Sequence, residues 1–132
     1  MSDHTLLLRA LRLNAIFSAT SAGVLVFAGP WIAAQLGLTG AMPAYVTAGL
    51  LAVFALQLGN IVRTRKIFTI EIVVIIFADI AWVVGSVVLV ALFYSSLTII
   101  GLLLVDVVAI AVLCFAVQQI RGLRAWHRGE PA

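Results

Sequence analysis

The sequence predicts an all-α integral membrane protein. Its expected form is a four-transmembrane-helix, up-down-up-down bundle, N-in/C-in, with a short interfacial helix after the first crossing. Three observations predict it. Four apolar stretches approach or exceed the ~20 residues a helix needs to cross hydrocarbon. The connections between them are short, which favours antiparallel neighbours. With four crossings, all eight Lys and Arg residues fall on one side and none on the other, so that side is expected to be cytoplasmic.

Composition points the same way. Hydrophobic residues make up 64% of the 132-residue chain and charged residues 10%, against roughly 25% charged in a soluble domain. Mean hydropathy is +1.24. Such a chain cannot cover a water-facing surface, and residues 1–132 read as one transmembrane domain. The sequence pI near 9.8 does not signal nucleic-acid binding, because the cations occupy short tails and one tight loop. Arg63, Arg65, Lys66, Arg121, Arg124 and Arg128 read instead as contacts to anionic lipid headgroups on the cytoplasmic side, with Arg9 and Arg12 beside them. The single cysteine, Cys114, lies in an apolar run and forms no disulfide framework.

The first helix is expected over about 11–28, stopping at Gly29-Pro30. A signal-peptide reading competes, since Arg9 and Arg12 precede an apolar core and Val26-Phe27-Ala28 has the small-residue pattern of a cleavage site. Removing that segment would leave three crossings and spoil the charge asymmetry, so a retained helix is expected. Residues 31–38 are too short to span, and their Trp31, Ile32 and Leu36 suggest a helix lying in the interface. The second helix is expected over 43–62, with Pro43 in its first turn, and the third over 68–93. The fourth is expected over 97–119, joined to the third only by Tyr94-Ser95-Ser96. Trp31, Tyr45 and Tyr94 would then mark the outer interface, and Phe68 and Trp126 the inner one.

Three of the five carboxylates fall inside apolar segments: Glu71, Asp79 and Asp106. A carboxylate in hydrocarbon is costly and marks a candidate functional position. Asp79 and Asp106 are expected near mid-membrane on neighbouring helices. There they would act either as a coupled pair serving a proton or cation path or as hydrogen-bonded structural groups. Trp82 and Ser86 share a face with Asp79, and Trp82 is a candidate donor to its carboxylate. Glu71 stands in a first helical turn, favoured by the helix dipole, with Arg65 and Lys66 close enough to pair. Asn14, Ser18, Gln57 and Asn60, with Glu71, form a candidate inner polar cluster; Ser21, Gln118 and Gln119 lie in the same half.

Enzyme signatures are lacking: no G-x-S-x-G, P-loop or G-x-G-x-x-G occurs. His4 and His127 are expected in the tails, away from the acids, so neither a metal centre nor another cofactor is expected. The runs Arg12-Leu13-Asn14-Ala15-Ile16-Phe17-Ser18, Ala78 to Ser86 and Arg121-Gly122-Leu123-Arg124 resemble small bacterial four-helix inner-membrane proteins of no established activity. That resemblance covers most of the chain and implies a bacterial cytoplasmic-membrane location. Gly29-Pro30-Trp31 is similar to the turn of the Ser-Pro-Trp repeat proteins, with Gly in place of Ser and no second copy. The first helix carries no acid, a departure from the small multidrug-resistance transporters.

The leading expectation is a small accessory or scaffolding membrane protein that associates with a membrane partner or with itself. An oligomeric proton-coupled transporter or channel using Asp79 and Asp106 is the alternative. Lipid or quinone binding between helices, with Trp82 as a stacking surface, is the third.

Overall fold

A computed structural model describes residues 5–128. It contains α1 (Thr5–Gln35), α2 (Met42–Thr64), α3 (Thr69–Phe93) and α4 (Ile99–Arg128), with a single 3₁₀ turn at Tyr94–Ser96 between α3 and α4. No strand occurs among the described residues. All four helices are long and apolar enough to cross a membrane.

Local chemistry sets the helix ends. Pro43 occupies the first turn of α2, where its missing N–H costs nothing. At the other end Arg65 takes a left-handed conformation, φ 58°, and its N–H closes onto Ile61 O at 2.8 Å, the usual way to stop a helix sharply. Thr98 caps α4, its hydroxyl accepting from the Gly101 N–H at 3.0 Å.

One expectation is refined and two change. First, the helical run breaks at Ala28 (φ −116°, ψ 15°), next to the expected stop at Gly29-Pro30, and a second short helical run follows to Gln35, so that α1 has two limbs. Pro30 accounts for the break, because its ring removes one backbone donor and crowds the preceding turn. Segment 31–38 is thus helical as far as Gln35 and is closed by a turn in which Leu38 N–H reaches Ala33 O at 2.9 Å. Second, α4 runs nine residues past Gln119, because Gln119 and Gly122 stay buried while Arg121 and Arg124 face outward. Third, His127 is not in a tail: it stands in the last turn of α4, 3.3 Å from Thr69 Oγ1 at the start of α3. His4 lies outside the described residues.

The close helix pairs are α1–α2, α1–α4 and α3–α4, so the helices are arranged as α2, α1, α4, α3. The two ends of the α1–α4 seam rest on glycines. A Cβ on Gly122 would lie 2.7 Å from the Leu7 backbone, and one on Gly101 would collide with the Gln35 carbonyl. Small residues permit such approach in lipid, where packing rather than hydrophobicity holds helices together. The same contacts show that α1 and α4 run in opposite directions. Beside Gly101, Thr98 N–H donates to Gln35 O at 3.1 Å and its hydroxyl to Gln35 Oε1 at 2.8 Å.

All four helices meet only at the end that carries the basic residues. Leu7, Leu8 and Leu11 pack there with Leu58 and Ile61 of α2 and Ile72, Ile75 and Ile76 of α3, and Ile120 and Leu123 of α4 close the cluster. Burial along α3 stops at Asp79, and from Ile80 to Phe93 no residue of α3 is buried. Beyond that level the bundle is open between α2 and α3.

Candidate functional site

Asn14, Asp79 and Gln119 lie nine, ten and nine residues from the ends of α1, α3 and α4 on the basic side. Their equal spacing brings three polar residues from three helices into one layer, directly above the aliphatic cluster. All are buried: Asn14 is 1% exposed, Asp79 4% and Gln119 0%.

The Asp79 carboxylate is held through one oxygen. Asn14 Nδ2 donates to Asp79 Oδ2 at 2.8 Å, and Gln119 Nε2 donates to the same oxygen at 2.8 Å. The second Asn14 amide proton goes to Gln119 Oε1 at 2.9 Å, and Asn14 Oδ1 accepts from the Ser18 hydroxyl at 3.2 Å. A carboxylate only accepts, which fixes the orientation of both amides. No fully buried side-chain polar atom in the described structure lacks a partner. Both bonds go to Oδ2, so Oδ1 is the oxygen Asp79 presents elsewhere.

Asp79 also borders a cavity. A space of about 640 Å³ extends from Asn14, Ser18 and Asp79 at its floor to Leu36, Leu38 and Pro43 at the far end. Phe17, Ser21 and Leu25 of α1 line one wall, and Leu104, Val105 and Val108 of α4 another. Phe17 is set edge-on against Phe115 of α4, ring centroids 5.4 Å apart. Leu50 and Phe54 of α2 face Trp82, Ser86 and Leu89 of α3 across the gap between those helices. The lining is mostly aliphatic and aromatic, with Asn14, Ser18 and Asp79 at one end and the hydroxyl residues Ser21, Ser86 and Thr47 further along, the usual character of a small-molecule site, and the volume is within the usual range for one.

The other sequence candidates are placed as follows. Trp82 does not donate to Asp79; it is part-exposed on the cavity rim, and its carbonyl accepts from Ser86 Oγ at 2.8 Å. Asp106 is exposed on α4. It stands thirteen residues from Gln119, ~20 Å along the axis, so it is neither beside Asp79 nor at its depth. Gln57 and Asn60 face outward from α2, and Asn60 Oδ1 accepts from Arg63 at 3.2 Å. Glu71 is half-buried and pairs with neither Arg65 nor Lys66. The inner polar cluster thus divides: Asn14 and Ser18 join Asp79, and Gln57, Asn60 and Glu71 do not. Arg63, Arg65, Lys66, Arg121, Arg124 and Arg128 are exposed at the basic end. No group of three or more His, Cys, Asp or Glu side chains suited to a metal occurs among the described residues.

Gln119 is the member that sequence reasoning underrated. A fourth helix ending at 119 put it at the water interface. The signal was available in its equal distance, with Asn14, from the nearest arginines: Arg12 and Arg121 each lie two residues away.

Comparison with known proteins finds no matching family model, no matching curated protein and no matching solved structure.

Proposed function

We propose that this protein is a multi-pass protein of a bacterial cytoplasmic membrane, with both termini and the 63–66 loop on the cytoplasmic side. There it binds a single-chain amphiphile whose head donates a hydrogen bond or carries positive charge. The orientation rests on the eight cations gathered at one end of the bundle. The ligand class rests on one observation: a buried carboxyl group, held through one oxygen, stands at the floor of a cavity lined mostly by apolar side chains and carrying no other charged group.

Dimensions support a narrow ligand. The lining covers residues 43–54 of α2 and 78–89 of α3, eleven residues or ~17 Å along each helix at 1.5 Å per residue, a length that suits an extended alkyl chain. Entry is through the gap between α2 and α3, which faces lipid. A hydroxyl or ammonium head would bond Asp79 Oδ1 and the Ser18 hydroxyl. A carboxylate head would meet acceptors and be rejected, since like charges at close range in a low dielectric are strongly disfavoured. This is the lipid-binding alternative of the sequence reading given a defined floor. The two-acid proton path loses its geometric basis, because the two carboxyl groups lie ~20 Å apart along α4.

Tryptophan quenching tests the proposal. In a Trp31→Phe, Trp126→Phe background, Trp82 reports on the cavity alone. Bromine-labelled dodecylamine and dodecanol are expected to quench saturably and brominated dodecanoate to quench weakly. Asp79→Asn should remove most of the preference for the amine. Equal quenching by all three heads, or none that saturates, would sink the reading.

A further inference from the structure

A second groove, of about 450 Å³, lies between α1 and α2 and shares no lining residue with the Asp79 cavity. Alanines from both helices line it, among them Ala15 and Ala19 of α1 and Ala52 and Ala55 of α2; Ile16 and Leu56 are its two large side chains. Along each helix this lining runs into arginine. On α1 the stripe is Ala19, Ile16, Arg12 and Arg9, at spacings of three, four and three; on α2 it is Ala52, Leu56, Gly59 and Arg63, at four, three and four. Residues so spaced share a helix face.

The two arginine ends coincide. Gly29 lies against Ala44 and Tyr45 at one end of the helix pair, while Leu8 and Leu11 pack with Leu58 and Ile61 at the other, so α1 and α2 are antiparallel. Arg9, Arg12 and Arg63 therefore stand together where the groove reaches the basic end. Gly59 has open space where its Cβ would be, which continues the trench from Leu56 toward Arg63. No described acid pairs with these arginines. Neither α1 nor α2 contains an Asp or Glu, and the guanidinium groups of Arg9 and Arg12 bond no described residue. Arg63 donates to the neutral amide of Asn60 at 3.2 Å, which leaves its charge uncompensated.

We propose that this groove holds one anionic phospholipid, its phosphate gripped by Arg12 and Arg63 with Arg9 beside them, and the start of one acyl chain laid over the alanines. Charge complementarity names the occupant. A guanidinium offers paired N–H donors in the geometry that phosphate oxygens accept, and basic pockets between helices at a membrane surface take lipid headgroups. A zwitterionic head would bring its own ammonium against three uncompensated cations, so a head of net negative charge is preferred. The groove adds what the cations alone lack, a fixed seat for the chain, so this lipid is retained while its neighbours exchange. The site uses no residue of the Asp79 cavity and holds or fails independently of that reading.

Native mass spectrometry of the full chain in detergent tests it, with dioleoyl phosphatidylglycerol and dioleoyl phosphatidylcholine added together in equal amounts. One phosphatidylglycerol per chain is expected to stay bound, in severalfold excess over phosphatidylcholine. Arg12→Gln combined with Arg63→Gln should lower its retention about tenfold or more, as the loss of two juxtamembrane cations implies. Arg121→Gln combined with Arg124→Gln, on α4 and off both stripes, should lower it less than about twofold. Ala19→Phe fills the trench with every cation in place and should also lower retention severalfold. Equal retention of the two lipids, equal losses in the two double variants, or no loss in Ala19→Phe would overturn the proposal. So would glycerol phosphate competing as well as the whole lipid, which would mark a site for a soluble phosphate. All the altered residues are exposed, so unchanged thermal midpoints in lipid-free detergent separate lost binding from misfolding. Were a variant unstable, the wild-type lipid preference, kept in Arg63→Lys and reduced in Arg63→Gln, would decide.

Discussion

Asn14 and Asp79, sixty-five residues apart in sequence, are joined by a 2.8 Å hydrogen bond between buried side chains. Through Gln119 that bond ties α1, α3 and α4 together at the level where the closed end of the bundle gives way to the open one. Replacing Asn14 by Leu removes one of the two donors to Asp79 Oδ2, the donor to Gln119 Oε1 and the acceptor of the Ser18 hydroxyl, and leaves only the Gln119–Asp79 bond of the layer. The expected loss is about 1–3 kcal/mol, the cost of leaving buried polar groups unpaired. Asp79→Leu in the same background should cost less than the two changes made separately. A coupling of about 0.5–2 kcal/mol, measured by unfolding the four proteins of a double-mutant cycle in detergent, would be in keeping with intramembrane polar pairs. Strict additivity would mean that the layer does not act as a unit.

The α1–α4 seam predicts a contrast between two glycines. Gly122→Ala places a methyl group 2.7 Å from backbone atoms of Leu7, which do not yield as a side-chain tip would, so the helices must separate. A loss of about 1–3 kcal/mol is expected from overpacking of this kind. Gly59 has open space where its Cβ would be, and Gly59→Ala should be neutral or stabilising by up to about 1 kcal/mol through helix propensity. Thermal unfolding of the pair in one detergent checks both.

At the opposite end Thr98 has two tasks, capping α4 and fastening it to Gln35. Thr98→Val keeps the shape and the backbone bond to Gln35 O but loses the cap and both hydroxyl bonds to Gln35. Expected destabilisation is about 1–2 kcal/mol, the usual range for a lost N-cap. Amide exchange should accelerate first at Ile100, Gly101 and Leu102. Thr98→Ser should retain most of the protection.

The orientation is open to labelling. In a Cys114→Ala background, Gly40→Cys in the α1–α2 connection should react with a membrane-impermeant maleimide on intact cells. Lys66→Cys in the α2–α3 connection should react only after permeabilisation. The reverse pattern would invert the positive-inside assignment.

The apolar runs that define α2 and α3 were legible to within a residue or two, because hydrocarbon length and the residues that flank a span act over short distances. So was the short helical run after the break near Gly29-Pro30, because proline disturbs the preceding turn yet suits the first turn of a new helical run. The reach of α4 to Arg128 was hidden, since hydropathy reports where lipid ends and not where a helix ends. Asp79 was recognisable as a position of interest from its type and surroundings alone. Its donors were not, because the Asn14 and Gln119 amides come from helices whose register with α3 is settled by packing at Leu7, Leu58 and Ile72. Asp106 drew the same sequence argument as Asp79 yet stands on the opposite side of α4, since a helical residue's facing depends on which neighbours its helix acquires.

The gap between α2 and α3 carries a final consequence. If the cavity takes an amphiphile as proposed, acyl chains would complete the wall where those helices part, and the boundary between protein and solvent would be drawn by whatever fills the opening. Chain length and head chemistry of the host membrane would then be components of the folded state, much as a prosthetic group is. Stability of this protein should therefore change with bilayer composition more steeply than that of a bundle whose four seams are all closed.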